Sequence, residues 1–348
     1  SDKGTFFHGA AFKTIGASAE VVAALRSIGI SKPSHVQAEA YPLLLRRDIR
    51  HVAVMDQAGS GKTLAYLLPL IQQLKAEEAA AAGAAEGTAA SRGDVGGDTS
   101  NGEGDGERAV PLRLAQPGCP RLVVLAPTEE LAQQVYRVVK ALSAAGLRVR
   151  SSVMTGGEAD SKERGRSWRT QCKQLEGGLD VLVATPGRFI SHLASGTAKL
   201  TAASAVVLDE ADVLIGDQAA FRQQFDPVRA AAPGSTRFVL VTATLPSHML
   251  DQVRADFEDL ALAMGPGLHR TATGLEEELV DCSGGNDVSL ESGTERKLDA
   301  LTQVLKRRGA DRVIVFCNKI ENCRSVENHL RRSVMKGLSH KVLAYHEA

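Results

Sequence analysis

Short, continuously apolar runs recur along most of this chain, and each ends in a polar or glycine-rich cluster. Val52–Met55 runs into DQAGSGKT, Arg121–Ala126 ends in PTEELAQQ and Val149–Met154 in TGG. Asp180–Ala184 ends in TPGR, Ala205–Leu208 in DEAD and Arg237–Val241 in TAT. Runs of this length are strands, and because they are apolar throughout rather than alternating, both of their faces are covered. Helical sequence follows each run. The pattern therefore predicts an α/β fold, a doubly wound parallel sheet. Ligands of such sheets gather at the carboxyl ends of the strands, which is where every polar cluster just named lies.

Helix signals frame these strands. A helix is expected over Ala19–Ile28, closed by Gly29, and another from the N-cap Ser34, after Pro33, through Leu45. Further helices are expected over about Lys62–Leu74 and from PTEELAQQ to about Ala145. The stretch Met264–Gly274 (MGPGLHRTATG) reads as a break between domains. It divides the chain into a first domain at 1–265, a hinge at 266–276 and a partial second domain at 277–348. In the second part we expect helices at Lys297–Arg308 and Glu321–Arg332, a buried strand at Val313–Phe316 and a strand start at Lys341–Ala344. So few residues cannot complete a second sheet domain, so the sequence reads as truncated. Its first residue is Ser1 rather than Met, which suggests that any targeting peptide is missing as well.

Composition changes this picture in one place. The chain has 348 residues, is 43% hydrophobic and 24% charged, and carries a formal net charge of zero. That excludes a strongly basic coat, and no apolar run approaches a membrane span. Five scattered cysteines (119, 172, 282, 317 and 323) match no zinc or redox spacing and read as inert thiols of a reducing compartment. The neutrality hides a split, however. Residues 76–110 hold eight acids against two arginines, a net of −6, leaving +6 for the remainder. This Ala-, Gly- and acid-rich segment has almost no large apolar side chains, and a disordered acidic insertion is expected at about 76–118.

The candidate chemistry centres on His51–Thr63, HVAVMDQAGSGKT. A strand, a glycine loop and a helix start form a concavity of backbone N–H groups suited to phosphate oxygens. The loop residues are Asp56, Gln57, Ala58, Gly59, Ser60, Gly61, Lys62 and Thr63. Lys62 supplies charge to the outer phosphates and Thr63 a hydroxyl ligand for Mg²⁺. Asp56 stands where the P-loop pattern asks for glycine. Asp209 and Glu210, at a strand end, form a Walker-B arrangement in which Asp209 holds Mg²⁺ and Glu210 orients and deprotonates water. Gln37, just upstream of the loop, can both donate to and accept from an adenine edge.

Taken in order, the aromatic seventeen residues before Gly29, GISKPSHVQ, AGSGKT, PTEELA, TGG, TPGR, DEAD, TATLP and VIVFCN resemble the DEAD-box family of ATP-dependent RNA helicases. The resemblance covers Phe12 to about His346. It implies a RecA-like domain followed by an incomplete second one, with ATP and Mg²⁺ as cofactors. It also implies a monomer that binds the RNA backbone without sequence choice and unwinds duplexes locally or remodels RNA–protein complexes. Residue by residue, Phe12 would stack on adenine and Gln37 read its edge. Asp212 would pair with Thr242 and Thr244, coupling hydrolysis to RNA engagement. Pro127, Thr128, Gly157, Thr185, Pro186 and Arg188 would line the RNA backbone.

The chain departs from the family's pattern at Glu129, where arginine is usual, at Asp56, at Thr242 (usually serine) and at His346–Glu347 (usually His-Gly). The family's segments carrying arginine fingers, worth about 10³–10⁵ in rate, do not occur. These 348 residues are therefore expected to bind ATP but hydrolyse it slowly. Two other readings stay open. One is an ATP-gated RNA clamp or assembly scaffold with little turnover, motivated by Glu129 and Asp56. The other is a different P-loop NTPase such as a small-molecule kinase, against which the Phe12–Gln37 spacing and TPGR speak. VIVFCN and ENCRSVENHL look most like plant and algal organellar members, pointing to a chloroplast or mitochondrion.

Overall fold

In a computed structural model, describing residues 6–90, 114–156, 161–215, 218–244, 247–268, 275–283, 290–308, 312–332 and 342–345, the apolar runs are strands of one sheet. They are β1 (His51–Met55), β2 (Leu122–Leu125), β3 (Ser151–Met154), β4 (Val181–Ala184), β5 (Ala205–Leu208), β6 (Arg237–Thr242) and β7 (Leu260–Met264). All pairs are parallel, in the order β3-β4-β2-β5-β6-β1-β7.

Adjacent strand residues point to opposite faces, so the sheet feeds two cores. Val52, Val54, Leu122, Val124, Val207 and Val239 pack under α1 (Ala19–Ser27), α2 (His35–Leu45), α3 (Lys62–Ala90) and α4 (Glu129–Ala144). Ala53, Met55, Val123, Leu125, Val206 and Leu240 pack with the apolar side chains of α5 (Ser161–Glu176), α6 (Pro186–Ala194), α7 (Ala211–Ile215), α8 (Gln218–Ala231) and α9 (Ser247–Asp256). This double burial is why the strands read as unbroken apolar runs.

The chain divides into two compact units, Ser1–Thr273 and Gly274–Ala348. The second holds α10 (Leu290–Arg308) and α11 (Ile320–Arg332). Among the described residues no helix is long and apolar enough to cross a membrane.

Several expectations need correction. α3 does not stop near Leu74 but runs to Ala90, because residues 76–90 are dominated by alanine, the strongest helix former. The expected disordered insertion therefore cannot begin at residue 76. Its residues 91–113 lie outside the described residues, while Gln116 and Cys119 form a bridge just before β2. Glu77 and Glu78, counted among the acids of that insertion, are ion-paired to the buried Arg121 at 2.7 Å each. The same guanidinium reaches Asp180 at 3.4 Å and the Leu74 carbonyl at 3.0 Å.

β7 was not anticipated; LALAM falls directly before the glycines that had marked a domain break. In the second unit the expected strands at Val313–Phe316 and Lys341–Ala344 are not formed among the described residues. Ile314, Phe316 and Leu343 are largely exposed. A strand exists only through hydrogen bonds to a neighbour, and no described segment of this unit pairs with these runs. The helix expected at Lys297 begins earlier, at Leu290.

Candidate functional site

The sheet order sorts the polar clusters into two groups. The glycine loop follows β1 and Asp209–Glu210 follow β5, with β6 between them. PTEELA, TGG and TPGR follow β2, β3 and β4, three contiguous strands on the other half of the same edge.

A cleft of about 340 Å³ opens at the first group, lined by Ala58, Gly59, Gly61, Lys62, Thr63, Asp209 and Glu210. Its far wall is α4, through Leu131, Gln134, Val135 and Val138. Leu131 and Gln134 belong to the PTEELAQQ cluster, whereas Val135 and Val138 lie on the amphipathic face of α4 beyond it, brought there by the sheet order. Gly59 and Gly61 have φ of +76° and +89°, which L side chains avoid. A Cβ on Gly61 would also lie 2.5 Å from Gln37 Nε2. Lys62 is folded inward, donating to the Asp56 carbonyl at 2.8 Å and the Gln57 carbonyl at 2.9 Å. The buried Ser60 hydroxyl has no hydrogen-bond partner among the described residues.

Asp209 is buried, and both its oxygens are held. Oδ2 accepts from the Tyr66 hydroxyl at 2.7 Å and Oδ1 from the Glu210 N–H at 3.0 Å. Burial pushes its carboxyl above the ordinary range, against the opposing pull of the Tyr66 hydrogen bond. Glu210 is also raised, first by burial and then by the charge of Asp209, which suits a group that must take a proton. Its backbone lies at φ +50°, a sparsely populated conformation for a residue with a side chain. Its carbonyl accepts from Val213 and Leu214, starting α7. A constricted loop of N–H groups, an inward lysine, a free hydroxyl and a neighbouring carboxylate pair together fit a nucleoside triphosphate with Mg²⁺.

Other members of the expected site are placed differently. Phe12 is 3% exposed and belongs to the core cluster on the α1–α4 side of the sheet. It is not among the residues that line the cleft. Gln37 is buried too. Its Oε1 accepts from Ser34 N at 3.0 Å and its Nε2 donates to the Gly61 carbonyl at 3.1 Å, tying the start of α2 to the phosphate loop.

Asp56 and Gln57 do not line the cleft. Asp56 Oδ1 accepts from Gln57 N at 2.9 Å and from Gly267 N at 3.0 Å. A Cβ on Gly265 would come within 2.1 Å of that carboxyl group. The acid that departs from the P-loop pattern is thus a clasp to the segment after β7. Among the described residues Asp212 pairs with Thr244 alone, its Oδ2 accepting from the Thr244 hydroxyl at 2.5 Å. Thr242 is buried behind, its hydroxyl donating to the Thr244 carbonyl at 2.6 Å, so its link to Asp212 is indirect.

On the other half of the edge, Thr128 caps α4, its hydroxyl accepting from Leu131 N at 3.3 Å. Glu129 then falls in the first turn of α4, where a negative charge favours the helix dipole. Thr185 stands at the N-cap position of α6, without a side-chain capping bond among the described residues, and Pro186 opens the helix. Arg188 donates from Nε to the Thr155 carbonyl at 3.1 Å. Gly157 and His346–Glu347 lie outside the described residues.

The profile of the DEAD/DEAH box helicase family matches residues 34–253. The chain belongs to the DEAD/DEAH box helicase family. It is 41% identical over 345 residues to DEAD-box ATP-dependent RNA helicase 50 of Oryza sativa subsp. japonica, covering 99% of this chain and 47% of that protein. Against the protein of the same name in Arabidopsis thaliana, identity is 36%, covering 99% of this chain and 39% of the relative. The chain therefore spans half or less of the length of these curated relatives.

Among solved structures, S. cerevisiae Dbp5 bound to RNA and ADP BeF3 superposes with a TM-score of 0.61 at 21% identity, covering 92% of this chain and 66% of that one. A DEAD box protein from Methanococcus jannaschii gives a TM-score of 0.53 at 22% identity, covering 92% and 70%. Two long-range features of the site were invisible to motif reading. One is Tyr66, hydrogen-bonded to Asp209 from 143 residues away. The other is the Gly265–Gly267 segment against Asp56.

Proposed function

We propose that this chain is the nucleotide-hydrolysing part of an ATP-dependent RNA helicase, coupling ATP binding and hydrolysis to local unwinding of RNA or remodelling of RNA–protein complexes. The observation that carries the proposal is the convergence of Lys62, Thr63, Asp209 and Glu210 on one cleft. The TGG, TPGR and PTEELA clusters stand on adjoining strands of the same sheet edge.

Gly59–Thr63 would hold the phosphates, with Lys62 turning from its loop carbonyls to the outer phosphate oxygens. Thr63 and Asp209 would hold Mg²⁺, which supplies charge neutralisation for phosphoryl transfer when bound. Glu210, raised by burial, takes the proton of the attacking water. Gln37 keeps one amide hydrogen and one lone pair for an adenine edge. Pro127, Thr128, Thr185, Pro186 and Arg188 meet sugar and phosphate groups, an arrangement that reads backbone and not sequence. Asp212, Thr244 and Thr242 connect the two groups.

The test is RNA-stimulated ATPase of the intact protein, alongside Lys62→Ala and Glu210→Gln. Both substitutions should abolish turnover; full activity in either would overturn the site assignment. A second reading, an ATP-gated clamp that rarely turns over, is favoured by the exposed Glu129 at the start of α4. It requires RNA complexes that outlast many minutes with ATP, and brisk multiple-turnover unwinding excludes it.

A further inference from the structure

The side chain behind Arg188 has no place in any motif. α5 carries Trp168 and Gln171, three residues apart, and α6 carries Arg188 and His192, four apart. Each pair shares one helix face, and the two faces meet. The Trp168 and His192 rings stack with centroids 4.0 Å apart and 2° between their planes. The Arg188 guanidinium lies over the Trp168 ring, 5.6 Å from its centroid.

Polar contacts lock the stack. His192, wholly buried, meets Gln171 Oε1 through Nε2 at 3.0 Å and the Thr197 hydroxyl through Nδ1 at 2.8 Å. Gln171 Nε2 in turn donates to Ser167 Oγ at 3.2 Å and to the Thr155 carbonyl at 3.4 Å. That carbonyl is the one Arg188 Nε binds, and it opens the TGG segment. Arg188 is also within 3.8 Å of where a Cβ on Gly156 would be. Among the described residues no carboxylate pairs with Arg188, so its terminal N–H groups remain open to an anion while its Nε and its π face are held.

We propose that Trp168 is a positioning residue for RNA binding: its indole face, braced by His192, holds Arg188 where its free N–H groups meet an RNA phosphate. The proposal rests on the reading of Arg188 as an RNA-backbone contact. A cation over tryptophan is the strongest of the aromatic pairings. It orients the guanidinium without neutralising it, which a carboxylate partner would do.

The test measures binding of a labelled oligouridylate to the 348-residue chain by anisotropy, with a non-hydrolysable ATP analogue present. Trp168→Leu is expected to weaken RNA binding about 3- to 10-fold. Trp168→Phe, which keeps a weaker π face, should fall between Leu and the parent. Both variants should retain the parent's affinity for the ATP analogue. In an Arg188→Ala background, Trp168→Leu should have no further effect. As the sole tryptophan, Trp168 should also change its emission when RNA is added.

An undiminished affinity in Trp168→Leu, beside a loss in Arg188→Ala, would overturn the positioning role alone. So would an equal loss with and without Arg188, which would mean that the indole acts on a base or on the fold of α5. Equal losses in Leu and Phe would also count against it. If Arg188→Ala binds RNA like the parent, or the parent binds none, the RNA reading of TPGR fails and takes this inference with it.

Discussion

Replacing Gly265 by alanine should injure the phosphate loop without touching it. The new methyl would lie 2.1 Å from Asp56 Oδ2, 2.2 Å from Cγ and 2.7 Å from Oδ1. The carboxyl group can escape only by rotating, yet Asp56 is 4% exposed and its Oδ1 accepts from both Gln57 and Gly267. Two broken hydrogen bonds to a buried acceptor, together with overpacking, place the cost at about 2–4 kcal/mol. At roughly 2–4 °C per kcal/mol for a unit of this size, Tm should fall by about 4–16 °C. Because Asp56 and Gln57 also supply the carbonyls that hold Lys62, affinity for an ATP analogue should fall with it. The decisive measurement is a double-mutant cycle by denaturant unfolding and analogue titration. Asp56→Ala loses the two hydrogen bonds but makes room for the methyl, so Gly265→Ala added to it should cost almost nothing. An equal cost for Gly265→Ala in both backgrounds, or no cost in the native one, refutes the clasp.

Arg121→Ala strips a buried guanidinium from Glu77, Glu78 and Asp180 and should destabilise the first unit by about 3–5 kcal/mol, read by denaturant unfolding, whereas Glu77→Ala alone should cost much less because that carboxylate is 39% exposed. Tyr66→Phe removes one of the two donors to Asp209 and makes it harder to ionise in its buried site. The Mg²⁺ concentration for half-maximal analogue binding should rise several-fold, consistent with the loss of one hydrogen bond to a charged group, and an unchanged Mg²⁺ requirement would contradict this role. His51 and His192 are both lowered to about 4 by burial. The unfolded chain then binds more protons than the native one, so their contribution is complete above about pH 6.5 and is lost as pH falls toward 4, at about 1.4 kcal/mol for each unit of separation. Thermal unfolding across that range should show an acid-side loss that shrinks in His192→Gln.

How far the sequence could be read followed from the range of each signal. Strands, loops and helix starts are written within a few residues of themselves, as apolar runs, glycines and caps. The alternation of strand and helix then dictates a parallel sheet whose carboxyl edge collects GSGKT, TPGR and DEAD. Contacts between distant segments were not written there. Phe12 is written as an aromatic ahead of a helix, and only the packed chain shows its ring within the core cluster. Glu77 and Glu78 belonged by composition to a disordered insertion, yet an alanine-rich continuation of α3 carries them to Arg121, more than forty residues on. Val313–Phe316 has the composition of a strand, but a strand needs a hydrogen-bonding neighbour, which no local pattern can provide.

The sequence alone therefore determined six of the seven strands and the sheet edge beside which Lys62, Thr63, Asp209 and Glu210 stand, because each depends on local periodicity and spacing. Only the tertiary structure decided that Asp56 grips a glycine 211 positions away, that Tyr66 holds Asp209 and that Trp168 braces Arg188. Those pairings depend on the order in which the strands lie side by side, and that order is a property of the whole packed chain.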